Sequence, residues 1–127
     1  MELEKIDAEG INYIYAISSV KKEFKKAVNE SWSDNPPWKR YQEKLMRDLA
    51  ILDVEKEEAV KLQNFEKLAD VDRLYSIRHS ETPKNVRVLY TIEKDIVILL
   101  TAFLEKNSGD YKKAIFRAQK RLKWLDN

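Results

Sequence analysis

Residues 74–125 read LYSIRHSETPKNVRVLYTIEKDIVILLTAFLEKNSGDYKKAIFRAQKRLKWL, and this stretch decides the fold. Three apolar runs rich in β-branched and aromatic residues are separated by short polar turns, and a basic amphipathic segment closes the chain. In residues 74–80, Tyr75 and Ile77 alternate with Ser76 and Arg78. Residues 81–85 (ETPKN) have the composition of a hairpin loop. In residues 86–92, Val86, Val88, Tyr90 and Ile92 alternate with Arg87, Leu89 and Thr91, and Glu93-Lys94-Asp95 reads as a tight turn. Residues 96–104 are apolar almost throughout, which predicts a central strand covered on both faces. Asp110 is the expected N-cap of the last helix, with Ile115, Ala118, Leu122 and Leu125 as its buried stripe. Lys112, Lys113, Arg117, Lys120, Arg121 and Lys123 cover the rest of that helix.

Upstream, residues 11–17 predict a strand in which Ile11, Tyr13, Tyr15 and Ile17 share a face. Ser19 then reads as the N-cap of a helix that turns Phe24, Ala27 and Val28 inward. The breaker cluster SWSDNPP (residues 31–37) ends it. Tyr41, Leu45, Leu49 and Leu52 fall at helical spacing after Trp38. The pattern predicts a bend near residues 53–55 and further helix to Leu68, with Ala59, Leu62, Phe65 and Leu68 inward. The acidic run Glu55, Glu57, Glu58 suits a solvated helix start better than a metal site. The expected fold is therefore α+β. It comprises an antiparallel β-sheet, made of the N-terminal strand and a three-stranded meander, with helices on one face. One domain spans residues 1–127, with helical support over about 19–70 and the sheet and closing helix over about 74–125.

Composition narrows the functions open to such a fold. At 127 residues the chain is large enough for one real core, and with 43% hydrophobic and 36% charged residues it reads as globular. No apolar run approaches the ~20 residues of a membrane span, and the acidic start Met1-Glu2-Leu3-Glu4 is unlike a signal peptide. With no cysteine there is no disulfide, thiolate metal site or cysteine nucleophile, and the expected location is the cytoplasm. Residues 1–72 hold 12 Lys+Arg against 16 Asp+Glu; residues 73–127 hold 12 against 6. The resulting −4 and +6 make up the chain's net +2 and give the second half a polyanion-facing character, although lysines that merely solvate a helix face would give the same asymmetry.

No motif for a metal, a nucleotide cofactor or Ser/Cys–His catalysis is present, and neither metal nor cofactor is expected. The single histidine, His79, lies in a strand, where a structural role is commoner than a catalytic one. What remains is basic: Arg78 and His79 on one strand, Arg87 on the next, and Lys106 just past the third. Such a set suits RNA cleavage by the 2′-hydroxyl without a metal. Arginine forks bind the scissile phosphate and stabilise its growing charge, while a lysine, tyrosine or histidine with a shifted pKa moves protons. The same residues also suit holding a nucleic-acid backbone without cutting it.

Four segments in this order resemble the RelE/HigB-like toxins of bacterial toxin–antitoxin modules, nearest to the phage-derived HigB-like branch. That branch shows a strand like LWELR, a second like YRVLY, a third like IVLLHGFxKK, and a helix with an EIxxA pattern. Leu74-Tyr75-Ser76-Ile77-Arg78, Val86-Arg87-Val88-Leu89-Tyr90, Ile98 through Lys106, and Ala114-Ile115 through Ala118 correspond. The resemblance covers residues 70–122 well and the first 70 only in layout. The chain departs from the pattern at Val86, Thr101 and Glu105, where the family has an aromatic, a histidine and a lysine. The resemblance implies a RelE-like fold and a ribosome-dependent mRNA endoribonuclease that inhibits translation, with the ribosome and mRNA as partners and a cognate helix-turn-helix (HigA-like) antitoxin that holds it inactive. It implies phosphate-binding roles for Arg78 and Arg87 and RNA contact by Lys106. His79 and Tyr90 are proton-handling candidates, and Lys84, Lys112 and Lys113 are further RNA-binding candidates. Two rival readings use the same fold: a ParE-like toxin that binds gyrase, and a phage or mobile-element accessory protein without activity, which the anionic Glu105 favours. On the nuclease reading, Arg87→Ala abolishes toxicity while the fold survives.

Overall fold

The computed structural model describes residues 1–79 and 85–127. Its strands are β1 (Leu3–Lys5), β2 (Ile14–Ile17), β3 (Phe65–Lys67), β4 (Tyr75–His79), β5 (Asn85–Glu93) and β6 (Ile96–Glu105), and its helices are α1 (Val20–Ser31), α2 (Trp38–Glu55) and α3 (Ser108–Asp126). The fold is α+β around one six-stranded sheet of order β1-β2-β6-β5-β4-β3. The meander forms as expected, with β4, β5 and β6 antiparallel in turn. The run predicted to be central is β6, buried from Val97 to Leu104. The hairpin loop at residues 81–85 lies outside the described residues except for Asn85.

Five expectations need correction. The sheet is mixed and six-stranded, not antiparallel and four-stranded: β2 runs parallel to β6, which the long connection between them, through α1, α2 and strands β3 to β5, permits. The strand expected over residues 11–17 is only Ile14–Ile17, because the Asp53 carboxylate takes the amides that would extend it. Its oxygens accept from Asn12 N–H at 3.1 Å and Tyr13 N–H at 2.6 Å. The helix expected to reach Leu68 ends at Glu55, where Lys56 adopts a positive φ of 51°; a 3-10 segment (Lys56–Lys61) and β3 follow. Asp110 is not the N-cap of α3. Asn107 is: its side chain accepts from Asp110 N–H at 3.1 Å, and the Asp110 carboxylate answers at Asn107 N–H, a reciprocal capping box.

The helices also do not share one face. Side chains of β4 and β5 alternate, so the paired rows His79–Val86–Leu104 and Arg78–Arg87–Phe103 point to opposite sides. On the first side, Tyr41 of α2 stacks on His79. On the second, Tyr111 of α3 meets Phe103 edge-on at 5.4 Å. A register shift between Leu89 and Tyr90 leaves Leu100 as an extra residue on β6.

β2 covers β6 only as far as Leu99, which leaves a bare edge beyond it. A half-buried polar network closes that edge. Glu23 of α1 accepts from Ala102 N–H at 3.4 Å and Thr101 Oγ1 at 2.9 Å. Arg121 of α3 donates to the Leu100 carbonyl at 2.6 Å and grips both Glu23 oxygens at 2.8 Å. Burial pushes the Glu23 pKa up, but the Arg121 and Thr101 hydrogen bonds and the Arg117 charge outweigh it, leaving it below the ordinary 4.5.

Candidate functional site

Arg78 and Arg87 are directly paired across β4 and β5 and share the α3 side of the sheet. Like charges so placed repel, and the structure offsets this at Arg87. Its Nε donates to Glu105 at 2.7 Å, and its Nη1 donates to Glu66 at 2.9 Å and Ser76 Oγ at 3.3 Å. The guanidinium also lies 4.9 Å from the centre of the Tyr111 ring. Burial lowers an arginine pKa, but the Glu105 hydrogen bond and the Tyr111, Glu105 and Glu66 groups reverse this and hold Arg87 above its ordinary value. Only 9% of Arg87 is exposed. Arg78 differs: it is half-buried and forms no ion pair with a described residue.

His79 and Tyr90 stand on the other side of the sheet. His79 packs flat on Tyr41, ring centres 4.0 Å apart, and Trp32 Nε1 donates to the Tyr41 hydroxyl at 3.0 Å. Burial first, then Lys44, Arg40 and Arg47, bring the His79 pKa from 6.5 down to about 4. Tyr90 stacks on Tyr75 at 5.2 Å and is fully buried, and burial pushes its pKa up. Its hydroxyl has no hydrogen-bond partner among the described residues. The structure thus brings together two of the four expected catalytic residues, Arg78 and Arg87. It separates His79 and Tyr90 from them by the thickness of the sheet.

Lys106 is exposed just past β6 and lines a cleft of about 250 Å³ between α1 and α3, together with Lys26, Lys113 and Arg117. Lys112 is exposed on α3, and Lys84 lies outside the described residues. On the opposite side, a groove of about 870 Å³ between α1 and α2 has apolar walls that include Val20, Phe24, Leu45 and Leu49. Among the described residues no three His, Asp or Glu side chains cluster to hold a metal, and no helix is long and apolar enough to cross a membrane.

Three residues outside the expected site set, Glu66, Ser76 and Tyr111, complete the arginine cluster. Glu66 projects from β3, which was not expected as a strand, and its carboxylate also accepts from the Tyr111 hydroxyl at 3.3 Å. Ser76 lies beneath Arg87, and burial raises the Tyr111 pKa above its ordinary 10. The signal for Ser76 was present, since period-two alternation puts it on the Arg78 face. Chemically the cluster offers two cations for a phosphate and a half-exposed carboxylate, Glu66, able to accept a proton. Comparison with protein-family models, curated proteins and solved structures finds no match for this chain.

Proposed function

We propose that this chain is a RelE/HigB-like toxin: a ribosome-dependent mRNA endoribonuclease, held inactive in the cytoplasm by a cognate helix-turn-helix antitoxin. One observation carries the reading. Arg78 and Arg87 face each other on one side of the sheet with Glu66 set against Arg87. In the reaction, Arg78 grips the scissile phosphate with its fork and Arg87 adds fixed positive charge behind it. Glu66 takes the proton of the 2′-hydroxyl, whose oxygen attacks phosphorus. The bond from phosphorus to the 5′-oxygen breaks, a 2′,3′-cyclic phosphate forms, and the leaving oxygen takes a proton from Lys106 or from water. As the family resemblance implies, no metal takes part. The test is cleavage of a message on programmed ribosomes, read by mapping of 5′ ends. Arg78→Ala is expected to abolish cutting and growth arrest without lowering the melting temperature. Intact message with the wild-type chain sinks the reading.

The ion pair between Arg87 and Glu105 favours a second reading, a protein that acts by binding alone on this fold. A ParE-like binder of gyrase would give filamentation and DNA-damage signals with uncut message, and an accessory protein would give neither.

A further inference from the structure

We infer that the outer face of α3 is a docking surface for single-stranded nucleic acid, outside the arginine cluster, that holds a strand whether or not it is cut. At about 100° per residue, Lys112, Lys113, Phe116, Lys120, Lys123 and Trp124 fall within roughly 120° of helix arc. All six are exposed, and none is acidic. Lysines alone would be a solvated helix face. The two aromatics are what such a face does not need: Phe116 is 59% exposed and Trp124 39% exposed, both turned away from the core. Lys120 Nζ already lies 4.6 Å over the Phe116 ring, so cation and π-face are presented together.

Alternating cations and exposed rings fit a polyanion whose bases stack, the combination by which single strands are held without sequence readout. Phe116 and Trp124 are separated by about 12 Å of helix rise. A strand stacked at ~3.4 Å per nucleotide covers that distance in three to four nucleotides. The face begins at Lys112, next to Tyr111, whose ring packs on Arg87. A strand lying along α3 would therefore reach the arginine side of the sheet at one end.

The test uses the full chain and a labelled oligodeoxyadenylate of about twelve nucleotides, which lacks a 2′-hydroxyl and so separates binding from cleavage. Four lysines predict a slope of log K against log salt near −2.8, from ~0.7 per cation on a single strand. The combined variant Lys112→Gln, Lys113→Gln, Lys120→Gln, Lys123→Gln flattens the slope. Phe116→Ala weakens binding roughly fivefold or more, from the usual worth of a stacked base, and leaves the slope unchanged. The oligonucleotide, and not inorganic polyphosphate, quenches tryptophan fluorescence, and Trp124→Phe removes that quenching. Any of three results overturns the inference: no binding at low salt, unaltered affinity in Phe116→Ala, or quenching by polyphosphate equal to that by the oligonucleotide. Binding to phosphatidylserine vesicles without binding to the oligonucleotide would instead make this a lipid-facing helix.

Discussion

Acid should unfold this chain through His79. The ring is 3% exposed, lies flat on Tyr41, and has its pKa held at about 4 by burial and then by Lys44, Arg40 and Arg47. In the unfolded chain a histidine titrates near 6.5. Between these values the unfolded chain binds a proton that the folded chain refuses, so stability falls as the pH falls. Nothing is lost above pH 6.5; below it the loss is ~1.36 kcal/mol per pH unit until the folded value is reached. Across the window that amounts to about 3 kcal/mol, a large part of the ~5–15 kcal/mol that stabilises a domain. Urea unfolding at pH 7.5 and pH 4.5 measures it, with His79→Phe as the comparison because a phenyl ring keeps the stack on Tyr41. Carboxylates titrate in both proteins and cancel in the difference. The wild type should lose at least 2 kcal/mol more than His79→Phe, from the same ~1.36 kcal/mol per pH unit. Equal losses would refute the assignment of a neutral, buried imidazole. The same burial gives a functional corollary: a pH–rate profile without a step near 6.5.

Other consequences are as direct. Tyr90→Phe removes a buried hydroxyl with no partner among the described residues, so stability should be unchanged or raised by up to ~1 kcal/mol in urea unfolding, with activity intact. Arg87→Ala leaves Glu66 and Glu105 facing each other without their common cation; it should destabilise by about 2–4 kcal/mol, and Arg87→Ala with Glu105→Ala should recover part of that in a double-mutant cycle. Loss of toxicity in Arg87→Ala is thus confounded by stability, unlike the same loss in Arg78→Ala. Glu23→Ala should cost about 2 kcal/mol by removing the partner of half-buried Arg121 and baring the β6 edge, measured by denaturant unfolding with hydrogen exchange at Ala102. Because the Glu23 pKa is depressed, its contribution is present above pH 4.5 and lost as the pH falls through the folded value.

The parts of the fold that were legible are those with a long periodic signal. Alternation in β4 and β5, the apolar run of β6 and the stripe Ala118–Leu122 of α3 each declare themselves locally. β1 was illegible because its three residues are all exposed and carry no apolar pattern. β3 was misread for a stronger reason: Ala59, Leu62, Phe65 and Leu68 keep helical spacing, and only pairing of Phe65 with Ile77 makes that segment a strand. No glycine or proline marks the break at Lys56. Glu66 goes unrecognised together with β3, and with it one of the two carboxylates paired with Arg87. The placement of His79 was readable throughout. It follows Arg78 in a strand, so the two must face opposite ways, and Tyr90 lies three residues from Arg87 with the same result.

The ion pairs at Arg87 shift the weight of phosphate binding to Arg78. A guanidinium has five donors, and bidentate capture of a phosphate needs two adjacent ones. At Arg87 the Nε is given to Glu105 and the Nη1 to Glu66 and Ser76. That leaves the Nη2 edge, a single-point contact, unless a phosphate displaces one of the carboxylates. Arg78 has its whole fork uncommitted among the described residues. Counted together, Arg78, Arg87, Glu66 and Glu105 are electrically neutral, so the cluster itself exerts little long-range pull on RNA. Attraction must come from the exposed lysines around it, Lys106, Lys112 and Lys113, which work through solvent and fade with salt. The division of labour follows from burial: surface lysines gather the strand, Arg78 fixes the phosphate, and Arg87 with its two carboxylates holds the sheet face on which that contact is made.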